Sequence, residues 1–264
     1  MWSSLTLQVQ IVQALAYREQ RERILKSPFG AAGLLVEPLL LMAPFLLLRV
    51  LLQAHGSHLM NPLLQLACGF VLFFLFSRIA LAALSGVSGR DRALLGLRRV
   101  KPLDLLLARG LVEVQIYGTC LILVIAAFST YQWQISLANP GAAVGIFLLV
   151  ALNALGIGLS ALVIGHRLPT VRFLAQLILQ RLLFWTSGLF FSVALMPDYL
   201  RPWLLWNPLL HGIELMRQAI APAYPIPGIS LPYLLAWSLG SVGVSMLIYN
   251  NNEKLLIAKP ESDE

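Results

Sequence analysis

The chain has 264 residues, of which 58% are hydrophobic and only 12% charged, and its mean hydropathy is +0.78. An average soluble domain carries about 25% charged residues and has no use for this much apolar surface, so the composition excludes a soluble enzyme and points to a polytopic, all-α membrane protein. The net charge of +7 is compatible with nucleic acid, but thirteen of the nineteen Lys and Arg fall in four short segments (18–26, 90–101, 167–172, 254–259) beside the apolar runs, which is the inside-positive bias of membrane loops.

Residues 4–24 read as an amphipathic helix within an interface segment 4–27. Leu5, Val9, Val12 and Ala16 recur at helical spacing, with Thr6, Gln10, Gln13, Tyr17 and Gln20 opposite. Such a helix lies in the headgroup plane. No uninterrupted apolar core is present in residues 1–27, so no cleavable signal peptide is expected. Arg18, Arg21, Arg23 and Lys26 close the segment as a basic cluster. It suits anionic lipid and an entrance collar for an anionic substrate equally well.

Six spans are expected, at 31–53, 62–84, 105–130, 142–164, 173–195 and 231–249. The first carries Glu37-Pro38, a proline that neighbouring helices can accommodate. The fourth carries Gly145, Gly156, Gly158 and Ser160, small residues that permit close helix contact. Cys68 and Cys120 fall inside spans, where thiols behave as small hydrophobes, and imply no disulfide or metal framework. The loops 55–61 and 131–140 hold no Lys or Arg and suit the outside, the second with Tyr131 and Trp133 as interface anchors. Both termini are then cytoplasmic.

Between the second and third spans lies a charged island, 90–104, with Arg90, Asp91, Arg92, Arg98, Arg99 and Lys101. Its cations place it in the cytoplasm, and a short helix over Arg92–Arg99 is long enough for a soluble partner to grip. The segment 196–230 differs from the rest. It holds six prolines together with Trp203 and Trp206. Two short helices that dip into the outer leaflet and return fit it better than a span, with Pro208–Ile220 forming about three turns.

No Gly-x-x-x-x-Gly-Lys-[Ser/Thr] motif is present, so the chain does not cradle nucleotide phosphates by that device. Leu84-Ser85-Gly86-Val87-Ser88-Gly89 has no nucleotide-binding domain around it and is treated as chance. The histidines His55, His58, His166 and His211 are scattered, and no metal site is expected. Asp198, His211 and Glu214 share the outer segment, where capping and packing are favoured over acid–base chemistry. Arginines inside spans are costly and therefore informative. Arg49 and Arg78 lie near span ends, and Arg181 lies roughly 12 Å into the fifth span. Arg172, Gln176 and Gln180 repeat at i, i+4, i+8 beside Arg181. That stripe suggests a wet path, the alternative being a buried pair of Arg181 with Glu113 or Glu37.

Three stretches carry a resemblance. They are Arg18-Glu19-x-Arg21-x-Arg23 with Gly30 and Glu37-Pro38; Arg99-Val100-Lys101-Pro102-Leu103-Asp104 with Ala108-Arg109 and Glu113; and Leu205-Trp206-Asn207-Pro208-Leu209-x-His211-x-x-Glu214-x-x-Arg217. On these, and in length and span order, the chain resembles the membrane subunit of ABC-2-type exporters, specifically the capsule polysaccharide export permeases of Gram-negative bacteria. It departs from them in lacking an aromatic residue just before Glu37-Pro38.

The resemblance implies a half-transporter in the bacterial inner membrane that pairs as a homodimer over two separate ATPase subunits. ATP and Mg would be bound by those subunits, so this chain needs no cofactor. The island Arg90, Asp91, Arg92, Arg98, Arg99 and Lys101 would couple to the ATPase. Arg18, Arg21, Arg23, Arg49, Arg78 and Arg181 would line the substrate path. Trp203, Trp206, Asn207, His211, Glu214 and Arg217 would form an outer gate. The implied cargo is a lipid-linked acidic capsule polysaccharide, passed on to a periplasmic co-polymerase and an outer-membrane exporter. The same fold would serve O-antigen or teichoic acid. A membrane-embedded transferase would need convergent acids or histidines at one depth, and the sequence offers none.

Overall fold

In a computed structural model, residues 2–51, 60–86, 91, 94–95, 99–130 and 139–257 are described, and they are helical nearly throughout. Five long helices come first: α1 (Trp2–Lys26), α2 (Gly30–Leu51), α3 (Pro62–Ser85), α4 (Pro102–Thr130) and α5 (Pro140–Arg167). A broken run follows, made of α6 (Pro169–Leu177), a π-helical turn (Ile178–Leu182) and α7 (Leu183–Thr186). The short α8 (Arg201–Leu204) and α9 (Pro208–Ile220) precede the last helix, α10 (Leu231–Ile257).

Three helices begin at the same dipeptide. Asn61-Pro62, Asn139-Pro140 and Asn207-Pro208 each put asparagine at the N-cap and proline in the first turn. The asparagine side-chain oxygens accept from the backbone N–H of Leu63 at 2.9 Å, Ala142 at 3.1 Å and Leu209 at 3.0 Å. Proline has the helical φ already set and lacks an N–H that would otherwise be orphaned.

Helices α2, α3, α4, α5 and α10 are long and apolar enough to cross a membrane. They bury very different shares of themselves. The apolar window of α3 is 78% buried, against 11% for α2 and 17% for α10. Helix α3 is therefore the core, packed by α2, α4, α5 and α9. Cys68 lies within it and Cys120 within α4, both buried and free.

Helix α5 is clamped between α3 and α10 by two of the predicted small residues. A Cβ on Gly158 would stand 2.5 Å from the carbonyl oxygen of Ala80 in α3. A Cβ on Gly156 would stand 2.6 Å from the carbonyl carbon of Ser241 in α10. Two positions along a helix turn by about 200°, so the contacts lie on opposite sides. Gly145 has open space around it and plays no such part.

The expected fifth span, 173–195, has different helical bounds. Its helical run covers Pro169–Thr186 and then stops. Gly188 adopts φ +74, a left-handed conformation that ends helices and is easy only for glycine. A side chain there would also strike Leu210 of α9, 2.4 Å from a Cβ. Residues 187–192 are irregular and lead into a 3-10 turn, Val193–Leu195. Six continuous spans are thus not what the described residues display. The turn is packed by rings, with Phe45 of α2, Phe70 of α3, Phe184 of α7 and Phe190 tilted or edge-on at centroid distances of 4.9–6.2 Å. Such arrangements add to the burial of the rings themselves.

Helix α1 covers the expected interface segment to Lys26. Ala16 is buried and Val12 and Leu15 pack on the core, but Val9 is 54% exposed. The docking face is a mixed one, completed by charged residues.

Candidate transport path and its two ends

Helices α1 and α4 meet through charge. Arg23 donates to Glu113 of α4 at 2.8 Å and to Glu19, one turn back, at 3.0 Å. Arg18 pairs with Glu22 at 2.9 Å and with Asp91 at 3.4 Å. Asp91 also pairs with Arg109 of α4. Gln8 donates to Asp104, and Asp104 accepts the Lys101 N–H at 2.9 Å, which caps α4 from its third position. Burial works against the Arg23 cation, but the carboxylates of Glu113 and Glu19 outweigh it and raise its pKa above the usual value. The Glu113 side chain is only 7% exposed, so losing Arg23 would strand a buried carboxylate.

A second pair nearby is different. Arg78 of α3 donates to Glu37 of α2 at 2.5 Å, with side chains 42% and 62% exposed. A pair this open contributes about 0–1 kcal/mol. Two cavities, of about 570 and about 650 Å³, flank it, and Arg23, Arg78 and Glu113 line both. The first is also lined by Lys26 and Glu37, the second by Glu19, Arg109 and Gln180. Ionisable groups within spans face wet paths or each other rather than lipid.

Of the predicted path residues, Arg23 and Arg78 line the two cavities, and Arg18 is joined to Arg109 of the second through Asp91. Arg21 is exposed on α1. Arg49 lies further along α2, ~18 Å from Glu37 at 1.5 Å per residue, half-buried and with its Nε unbonded. Arg181 sits exposed in the π turn and forms no ion pair with Glu113 or Glu37, whose partners are Arg23 and Arg78. In the charged island, Arg90, Arg92 and Arg98 lie outside the described residues. Arg99 and Lys101 are exposed, whereas Asp91 is 3% exposed and faces inward.

The other end is built on α9. Arg217 is fully buried, and its five N–H donors all have acceptors. It donates to Glu214 at 2.7 Å, to the carbonyls of Phe191 and Leu189 at 3.1 Å each, and to the Gln65 carbonyl at 3.2 and 3.4 Å. Two of these carbonyls belong to the irregular 187–192 turn, and irregular backbone inside a bilayer is tolerated only where protein satisfies it. Gly69 makes room, since a Cβ there would lie 3.1 Å from an Arg217 nitrogen. Tyr224 donates to Glu214 at 3.4 Å.

His211 is buried as well. Its Nδ1 accepts the Ser230 N–H at 3.0 Å, and its Nε2 lies 2.8 Å from the Leu205 carbonyl. That assigns the neutral Nε2–H tautomer. Asn207 donates to Thr186 at 3.3 Å, tying α9 to the end of α7. Asp198 is 92% exposed and pairs with Arg201 at 3.0 Å, well separated in role from His211 and Glu214. Trp203 and Trp206 are 81% and 77% exposed. The predicted gate set therefore divides into a buried lock and an exposed aromatic rim.

Sequence reasoning named Arg109 only within a resemblance stretch, without its hold on Asp91, and missed Gln8, which holds Asp104. A signal for the first was present: Arg109 and Glu113 stand at i, i+4 near the start of an apolar run, a costly placement without partners.

The ABC-2 type transporter family profile matches residues 10–221. The polysialic acid transport protein KpsM of Escherichia coli is 29% identical over 259 residues, covering 97% of this chain and 98% of its own. The capsule polysaccharide export inner-membrane protein CtrC of Neisseria meningitidis serogroup B is 27% identical over 217 residues, covering 82% and 81%. The capsule polysaccharide export inner-membrane protein BexB of Haemophilus influenzae is 24% identical over 251 residues, covering 95% and 94%. With the profile spanning most of its length and its helices long enough to cross a bilayer, the chain belongs to the ABC-2 type transporter family.

Proposed function

We propose that the chain is the inner-membrane subunit of an exporter for lipid-linked, acidic capsular polysaccharide. Two copies pair, and two separate ATPase subunits that bind ATP and Mg dock beneath them. A periplasmic co-polymerase and an outer-membrane exporter carry the polymer onward. The observation that carries this reading is near full-length similarity to proteins named for polysialic acid transport and capsule polysaccharide export. The acidic cargo is supported by the arginines that line both cavities. Pairing leaves the apolar faces exposed on α2 and α10 to be covered by the second copy and by lipid. Six helices packed 8–10 Å apart fill their own centre, so a seam between copies supplies the corridor.

In this reading the Pro169–Thr186 run, ~27 Å long, serves as a further crossing, giving six with both ends in the cytoplasm. Helix α9 is the re-entrant element: Gly212 abuts Val150, a Cβ there standing 2.5 Å away, at ~15 Å along α5. Trp203 and Trp206 form the rim of the outer gate, and Asn207, His211, Glu214 and Arg217 hold it. Exposed Arg99 and Lys101 meet the ATPase. The test is a deletion strain. Loss of surface capsule with lipid-linked acidic glycan retained inside, restored by this chain together with its ATPase, is expected. Retention of O-antigen or teichoic acid precursor instead would change the cargo, and unaltered capsule would overturn the reading.

A further inference from the structure

The two ion pairs that share the inner cavities are unequal. Glu113 is buried and fixed by Arg23. Glu37 is exposed, holds Arg78 by an open pair, and precedes Pro38 inside α2. Proline removes a helical hydrogen bond and marks a point where a helix bends. Glu37 thus sits beside a proline on the sparsely buried α2, and Arg78 on the core helix α3. The cavity is lined by Arg23, Lys26 and Arg78 against Glu37 and Glu113, so an anion that displaces Glu37 meets a net positive lining.

We infer that Arg78 is the anchor of an anion subsite and that Glu37 is its internal stand-in, displaced when a phosphate or carboxylate group enters. Guanidinium binds both groups in the same forked geometry. The inference rests on the proposed export of an acidic, lipid-linked cargo, and deepens it by naming where the charged group is held. The anion comes from a lipid headgroup or from the sugar chain.

The test uses full-length protein purified in neutral detergent, with two probes: fluorescent phosphatidylglycerol and soluble oligogalacturonate. Glu37→Gln, which frees Arg78, is expected to tighten binding by about threefold to fivefold. Arg78→Gln is expected to weaken it by about tenfold or more. The swap Glu37→Arg with Arg78→Glu keeps the pair and the wild-type melting temperature, yet binds as poorly as Arg78→Gln. Arg78-dependent binding of phosphatidylglycerol supports a headgroup source, and of oligogalacturonate a sugar source. Arg78-independent binding of both probes, or a swap that binds like wild type, overturns the subsite. Capsule export is scored in parallel. A swap that binds no anion but exports capsule sinks the subsite alone. Wild-type protein that binds anion in an Arg78-dependent way but never restores capsule sinks the exporter reading alone.

Discussion

The two ends of the molecule use the same chemistry to opposite ends. At α9 a single arginine is sealed from solvent with every donor satisfied, and its carboxylate partner is equally buried. At the α1 end, arginines and carboxylates are spread over α1, α2, α3, α4 and Asp91 of the island, and the Arg78–Glu37 pair stands open. Burial decides the difference. A sealed pair cannot lose one member without stranding a charge, so it fixes structure. An open pair is held weakly, so its members stay available to other ions.

The sharpest way to break this contrast is at the sealed end. Arg217→Leu should cost about 3–5 kcal/mol, read as collapse of the yield of monodisperse protein and of its melting temperature; wild-type melting would mean that the lock holds nothing. An intermediate effect is expected at Glu113→Gln, about 1–2 kcal/mol, because Arg23 is only partly shielded. The readout is faster tryptic cleavage in residues 18–26 as α1 loosens, and unchanged cleavage would deny that charge docks it. Asp91→Asn should cost about 1 kcal/mol while reducing ATPase stimulation in the assembled transporter, since Asp91 joins the island to Arg18 and Arg109. Full stimulation would leave Asp91 a structural residue only. The smallest change is expected at the rim: Trp203→Ala and Trp206→Ala should shift stability by less than about 0.5 kcal/mol. A larger loss would place the rim inside the lock.

Much of the helical frame was legible because its signals are local. Apolar runs of bilayer length, and Asn-Pro pairs that cap and start helices, can be read residue by residue. The Pro208–Ile220 helix was found this way. The end of the fifth run was not, because a long hydrophobic stretch, Leu182 to Leu195, hides one glycine whose backbone sign only the fold decides. Charge partners were the least legible. Arg181 looked deepest in sequence, yet Glu37 and Glu113 went to Arg78 and Arg23, because pairing depends on which helix faces meet and not on depth along one helix. The third resemblance stretch singles out Arg217, but its reach to carbonyls 26 and 28 residues away is a property of the fold.

The glycine clamp on α5 constrains how any such machine can move. Main chain comes close to main chain on both sides of that helix, with little more than Ser241 and Ala83 side-chain atoms beside the contacts. Sliding of α5 against α3 or α10 would drive backbone into backbone at these two points, so a larger residue at either glycine would push the three helices apart.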